Sequence, residues 1–247
     1  MSKIKLDPHV HSYVSDGEVS PEEVVRYAEL NNLEAISVTD HNTFLGSYIA
    51  LRRASTVGSK SVLVPGAEFR TEFGDVLVLC EDIPMTYVNR LKGGSKKCVD
   101  FFRLVELAHV ENCVLIAAHP FALIREGGGR IFELRHLDCV EVFNSSSDIF
   151  TNIYTIYATR SKKCKVAGSD AHILELIGSS YTVVEVSDLS REEIIESLRK
   201  ARVEPYYDLL RWIVKMSTSI TKRLEHSLRL AVGGYRDPWE RVYHLPF

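Results

Sequence analysis

The stretch Ile4-Lys5-Leu6-Asp7-Pro8-His9-Val10-His11 decides how the chain is read. It opens as a short apolar strand and closes on two histidines one residue apart. Successive side chains of a strand point to opposite faces, so His9 and His11 leave on the same side. The same ending recurs along the chain. Apolar runs at 35–38, 62–64, 114–117 and 166–167 lead into Thr39-Asp40-His41, Pro65-Gly66-Ala67-Glu68, Ala118-His119-Pro120 and Gly168-Ser169-Asp170-Ala171-His172, the last again an i, i+2 pair. Further runs at 76–79, 140–143 and 182–186 complete eight candidate strands. Several are almost continuously apolar, which is the pattern of strands covered on both faces.

Helix signals lie between these runs. Ser20-Pro21-Glu22-Glu23 places a capping serine, a first-turn proline and a glutamate at the third helical position, and Ser190-Arg191-Glu192-Glu193 repeats the box. Residues 100–109 and 149–158 also have helical spacing. Repeated strand–helix units predict an α/β fold with a parallel sheet, and seven or eight strands suit a closed or nearly closed barrel. An open doubly wound sheet gives the same alternation. Gly93-Gly94 and Gly127-Gly128-Gly129 have neither a GxxxxGK[ST] nor a GxGxxG context and read as loops, not phosphate cradles.

Composition narrows the function class. The chain has 247 residues, 45% hydrophobic and 26% charged, with a net charge of -3, which suits one large soluble domain. No apolar run approaches the roughly 18 residues of a membrane span, and the N-terminus shows no signal-peptide core. The mild acidity gives no global reason to expect nucleic acid. Cys80, Cys98, Cys113, Cys139 and Cys164 are odd in number and form no CxxC pair, so they are expected as reduced thiols in a cytoplasm.

Of nine histidines, five fall at predicted strand ends, beside carboxylates at Asp16, Glu68 and Asp170. Strand C-termini converge on the mouth of a (β/α) barrel, where such enzymes place their sites. Gathering this many imidazoles and carboxylates without cations to neutralise them would be strongly unfavourable, so the pattern predicts a metal centre. His109, His136, His226 and His244 lie outside it and read as ordinary surface or helix residues.

These ordered motifs, together with Ser15-Asp16-Gly17, resemble those of the PHP (polymerase and histidinol phosphatase) family of metal-dependent phosphoesterases, over about residues 3–204. The resemblance implies a distorted (β/α)7 TIM-like barrel holding two or three divalent ions. By it, His9, His11, Glu68 and Asp170 would hold one metal. Glu68 would bridge to a second that His119 also binds, and Asp16, His41 and His172 would hold a third. A mixed nitrogen and oxygen set suits Zn, Mn or Fe. One departure stands out. Many members carry a histidine on the next strand, where this chain reads Phe73-Gly74-Asp75. Asp75 is expected to replace it as a ligand of the second metal; otherwise it merely starts a strand or caps a turn.

Arg125 and Arg130, in the loop after His119-Pro120, are expected to bind substrate phosphate, with Arg70 a weaker candidate. Asp7 and Asp40 are expected to orient imidazoles, and Asn144 to line the cleft. Residues 1–204 are therefore read as a PHP phosphoesterase barrel and 205–247 as an amphipathic helical extension opened by Pro205. That extension carries seven Arg/Lys against four Asp/Glu and apolar Leu209, Ile213, Ile220, Leu224 and Leu228. It is expected to dock on the barrel flank or on a dimer mate, with nucleic-acid or membrane-surface contact as the alternatives. The expected activity is hydrolysis of a small phosphomonoester such as a nucleotide, sugar phosphate or amino-alcohol phosphate. A nuclease acting on phosphodiester ends and a catalytically impaired metal-binding scaffold are the competing readings.

Overall fold

The computed structural model describes residues 1–84, 98–122 and 135–208, and beyond them Trp212, Ile213 and Ser217. The chain runs β1 (Ser2–Asp7), α1 (Pro21–Leu30), β2 (Ala35–Ile36), α2 (Leu45–Val57), β3 (Val62–Leu63), β4 (Gly66–Thr71), β5 (Gly74–Leu79), α3 (Phe101–Val110), β6 (Val114–Ala117), β7 (Cys139–Asn144), α4 (Ile149–Ala158), β8 (Lys165–Gly168), β9 (Ser180–Val186), α5 (Arg191–Arg199) and β10 (Val203–Tyr207). At α1 the predicted capping box forms in full: Ser20 Oγ accepts from the Glu23 amide, and the Glu23 carboxylate accepts from the Ser20 amide. Asp100, Asp148 and Ser190 cap α3, α4 and α5 by accepting the amides of Arg103, Thr151 and Glu193, without the reciprocal bond.

The strands form two five-stranded sheets, β10-β9-β1-β2-β3 and β4-β5-β6-β7-β8. The expected closed barrel is not formed among the described residues, and neither sheet is wholly parallel. β1, β2 and β3 run parallel, as do β6, β7 and β8, whereas β9 is antiparallel to both β1 and β10, and β5 to both β4 and β6. The reversal at β5 has a local cause. Only Glu72 and Phe73 separate β4 from β5, far too few for a crossover helix, so the chain must fold back as a hairpin. The Thr71 hydroxyl donates to the Gly74 carbonyl at 2.6 Å, and Gly74 has φ +129°, a conformation that side chains rarely tolerate.

The two sheets share a core. Ile4, Leu6, Val184 and Val186 of the first pack with Leu77, Leu79 and Ile116 of the second, and Ile194, Ile195 and Leu198 of α5 close the cluster. Burying each such side chain stabilises the fold by about 1.5–3 kcal/mol. At one seam the Ala167 amide donates to Thr182 Oγ1 at 3.0 Å and Ser180 Oγ donates to the Gly168 carbonyl at 2.7 Å, tying β8 to β9. Isolated parallel bridges join Val10 to Ala171 and His41 to Glu68.

Two sequence expectations are corrected here. Cys80 is disulfide-bonded to Cys113, and Cys139 to Cys164, leaving Cys98 free and exposed. Strand pairing brings them together: Leu79 faces Val114 across β5–β6, and Val140 faces Lys165 across β7–β8, so the neighbouring cysteines lie 4.2 and 4.6 Å apart at Cα. Pro205, expected to open a helix, lies within β10, so this sheet crosses the boundary placed at 204. β10 is an edge strand, where a missing amide costs no ladder bond. Helical backbone follows at Trp212 and Ile213, with the Trp212 amide donating to Asp208 O at 2.8 Å. Leu209, Ile220, Leu224 and Leu228 lie outside the described residues. Among those described, no helix is long and apolar enough to cross a membrane.

Candidate metal centre

Nine side chains gather where the strands end: His9, His11, Asp16, His41, Glu68, Asp75, His119, Asp170 and His172. Most follow a strand terminus pointing to this rim. Asp75 arrives differently, because β5 runs backwards and begins at the rim where its neighbours finish. It faces Arg70 across the hairpin, with Asp75 Oδ1 3.4 Å from Arg70 Nε.

Glu68 is at the centre. Its Oε1 lies 2.9 Å from His119 Nε2, and its Oε2 lies 2.9 Å from His41 Nδ1, 3.3 Å from His11 Nε2 and 3.6 Å from His9 Nε2. Asp170 Oδ1 sits 3.1 Å from His11 Nε2 and 3.4 Å from His9 Nε2. Nearer the surface, Asp16 places one oxygen 3.3 Å from His172 Nε2 and the other 3.4 Å from His41 Nε2. The centre thus runs from the fully buried His9, His11 and Glu68 out to Asp16, whose side chain is 53% exposed.

Within it, donor atoms of four groups lie within 4.8 Å of one another: His9-His11-Glu68, Glu68-Asp75-His119, His9-His119-Asp170 and His11-Asp16-His41-His172. The chemistry of this set fits divalent cations. Imidazole nitrogens and carboxylate oxygens converge with no thiolate among them, and His9 and His11 point their Nε2 atoms at each other across 3.1 Å. A cation held between these groups, with the acids supplying charge balance, would satisfy nitrogens and oxygens together.

The electrostatics of the cluster follow from the same crowding. Burial opposes a charged His9, but Asp170, Glu141 and Glu68 outweigh it and hold the imidazole well above its ordinary range. His11 is raised for the same reason, against burial, by Asp170 and Glu68. Burial also opposes the charged His41, yet hydrogen bonds to Asp16 and Glu68 lift it to about 10. Burial would raise Glu68 and Asp16, but the surrounding histidines hold both carboxyls below the usual range. At neutral pH His41 therefore holds a proton that a bound metal would displace, and the carboxylates favour the same state at His9 and His11. Zinc binding near pH 7 is expected to release about one proton or more per ion. Calorimetric titrations in two buffers of different ionisation enthalpy should then disagree by that amount, and identical heats would refute it.

Supporting contacts fix the donors. His9 Nδ1 is 3.0 Å from Glu141 Oε1, while Glu141 Oε2 accepts from the His119 amide at 2.8 Å and from Asn144 Nδ2 at 3.0 Å. Asn144 Nδ2 also donates to Asp170 Oδ2 at 3.2 Å. His119 and Asp170 have positive φ, +25° and +50°, which places local strain on two of the gathered residues. Asp7 and Asp40, expected to orient imidazoles, instead brace loops. Asp7 accepts the amides of Ser169 and Gly178 at 3.0 and 2.8 Å, and Asp40 accepts from the Ser12 amide and the Ser15 hydroxyl at 2.8 and 2.7 Å. Burial pushes the Asp7 carboxyl up to about 6, against the opposing pull of the groups donating to it.

Glu141 is the contributor that sequence reasoning missed. A strict period of two would pair Glu141 with Phe143, but a register irregularity between them in β7 brings Glu141 and Asn144 to the same side. Glu141→Gln is expected to weaken zinc affinity about 10–100-fold by releasing the His9 tautomer, measured by competition with a chromophoric chelator. Unchanged affinity would show that Glu141 does not orient His9. Arg125 and Arg130 lie outside the described residues. Arg70 is half-exposed beside Asp75. His109 and His136 are exposed, away from the cluster.

A family model described as the PHP domain matches residues 7–176, and one described as PHP-associated matches residues 155–203. The chain belongs to the PHP family. Among its relatives is the uncharacterised protein MJ1587 of Methanocaldococcus jannaschii, 31% identical over 156 residues, spanning 58% of this chain and 82% of the relative. MJ0417 of the same organism is 25% identical over 79% of each chain. PsfC of Pseudomonas syringae superposes with a TM-score of 0.70 at 17% identity, over 90% of this chain and 99% of that one. A two-domain Bacteroides vulgatus protein, described as containing a predicted PHP-like metal-dependent phosphoesterase, gives 0.63 at 19% identity, over 87% and 70%. The lesion-specific endonuclease PfuEndoQ of Pyrococcus furiosus gives 0.58 at 15% identity, over 83% and 58%. At these identities the structural matches show a shared PHP fold.

Proposed function

We propose that this PHP-family chain is a metal-dependent phosphoesterase that hydrolyses a small phosphomonoester, such as a nucleotide, sugar phosphate or amino-alcohol phosphate. The observation that carries the reading is the position of Glu68, with one oxygen against His119 and the other against His9, His11 and His41. A carboxylate so placed suits adjacent ions held in common. In this reading His9, His11, Glu68 and Asp170 hold the first ion, Glu68, His119 and Asp75 the second, and Asp16, His41 and His172 a third where present. Divalent Zn, Mn or Fe, when bound, supplies water of lowered pKa and neutralises charge on phosphoryl oxygens.

The chain's own residues do the rest. Glu141 keeps the His9 Nδ1 position paired, so that its Nε2 faces the centre. Asn144 steadies Asp170. Arg125 and Arg130, and more weakly Arg70, whose Nε lies 3.4 Å from Asp75 Oδ1, would offer guanidinium donors to a phosphate oxygen. Arg70→Gln is accordingly expected to raise KM for the best monoester about tenfold with little change in kcat. A loss confined to kcat would remove Arg70 from substrate binding.

The test of the reading is release of inorganic phosphate from a panel of monoesters, set beside cleavage of single-stranded DNA and RNA, with Mn, Fe and Zn each supplied. Phosphate release supports the proposal. Strand cleavage without monoester turnover replaces it with the nuclease reading, and inactivity on every substrate with every metal leaves the binding scaffold.

A further inference from the structure

Trp212 lies beyond β10, outside the family-matched residues, yet it reaches toward the metal centre. Its indole N–H donates to the Ser145 carbonyl at 2.7 Å. Ser145 opens the turn after β7, and that turn supports Asp170 from two directions. Asn144 Nδ2 donates to Asp170 Oδ2 at 3.2 Å, and Ser146 Oγ donates to the Asp170 carbonyl at 2.7 Å. Asn144 Oδ1 in turn accepts the amides of Ser146 and Ser147 at 2.8 and 3.1 Å, so the turn and the Asn144 side chain are fixed together.

The residue before Asn144 is held by the same segment. Phe143 stacks on Tyr207 with ring centroids 4.4 Å apart and planes 4° apart, and it meets the Trp212 ring edge-on at 6.5 Å. The aromatic residues at and after the end of β10 therefore hold both sides of Asn144. Asp170 has φ +50°, in the left-handed region that aspartate tolerates better than most side chains.

We propose that Trp212 is a positioning residue for the metal centre. Through the Ser145 carbonyl it holds the Asn144–Ser147 turn, and through that turn the Asp170 carboxylate, so the segment after β10 and the occupancy of the centre are coupled. The inference rests on the assignment of Asp170 as a ligand. Coupling of this kind is reciprocal: if Trp212 tightens metal binding, metal binding must alter the surroundings of Trp212.

The chain has two tryptophans, so incorporation of 5-fluorotryptophan gives two fluorine NMR resonances, and Trp212→Phe assigns them by deleting one. Full-length, chelator-stripped protein is titrated with Zn2+, which is diamagnetic and leaves the lines sharp. The expected result is a saturable shift of the Trp212 resonance. Trp212→Phe, which keeps an aromatic ring but removes the donor, is expected to lower zinc affinity about two- to tenfold in chelator competition. Zinc binding with a stationary Trp212 resonance and unaltered affinity in the variant overturns the coupling and leaves the ligand assignment standing. Failure to bind zinc at all overturns that assignment, and the coupling with it. If the variant does not fold, the titration of the unsubstituted protein still decides, with Trp239→Phe supplying the assignment.

Discussion

Glu68→Ala protein, purified without chelator, is expected to carry no stoichiometric transition metal and to release phosphate roughly a thousandfold more slowly than its parent. The two oxygens of Glu68 face four histidines within 3.6 Å. Removing it takes a donor from two of the groups at once and leaves His9, His11 and His41 without their shared counter-charge. His172→Ala is the informative comparison. That residue belongs to the outer group alone, beside the exposed Asp16, so its loss should leave metal in the deeper positions. Elemental analysis and phosphate release on the same preparations check both expectations. Full metal content in Glu68→Ala would show that the centre is organised around some other residue.

The second large effect concerns the disulfides. Cys80–Cys113 and Cys139–Cys164 span 33 and 25 residues, and cross-links over loops of that length restrict the unfolded chain enough to stabilise by about 3–4 kcal/mol each. All four cysteines are buried, so full reduction should require partial opening of the fold. For a chain of this size the doubly reduced protein is expected to unfold about 15–25 °C lower than the oxidised one. Thermal denaturation with and without a strong reductant, and of Cys80→Ser and Cys139→Ser singly, measures each contribution. Equal midpoints in both redox states would mean that neither bridge contributes to stability.

These two features show what the sequence could and could not reveal. His9 with His11 was legible because alternation at a strand end needs no knowledge of its neighbours. Asp170 and His172 were legible instead from the recurring acid and histidine motif, since both lie past β8 and Asp170 has φ +50°. The full box at Ser20 and the serine cap at Ser190 were legible because capping is settled within four residues, although Glu193 turns its carboxylate to the Ser187 amide and leaves the second box half-formed. Pairing of remote strands is not local information. The reversed β5, which brings Asp75 to the rim, became evident only once the link through Glu72 and Phe73 was seen as a hairpin. Both disulfides depend on register between strands that spacing along the chain does not report. Glu141 was hidden by an irregularity that breaks the alternation it would otherwise follow, whereas Asn144 was legible at the strand end. α2 went unanticipated because Phe44 at its start makes no side-chain cap, and the Gly58 that ends it offers too weak a signal alone.

The placement of β1 has a consequence for how the protein is made. Its residues pair with β2 on one side and with β9 on the other, where Ser2 faces Val186 and Leu6 faces Thr182. During synthesis at about 5–20 residues per second, β1 waits on the order of 10–40 s for β9 to emerge. Asp170 and His172 emerge shortly before that partner, so a nascent chain cannot assemble the full set of candidate metal donors until that stretch has been made. Entropy of closing so distant a contact also slows refolding of the finished chain.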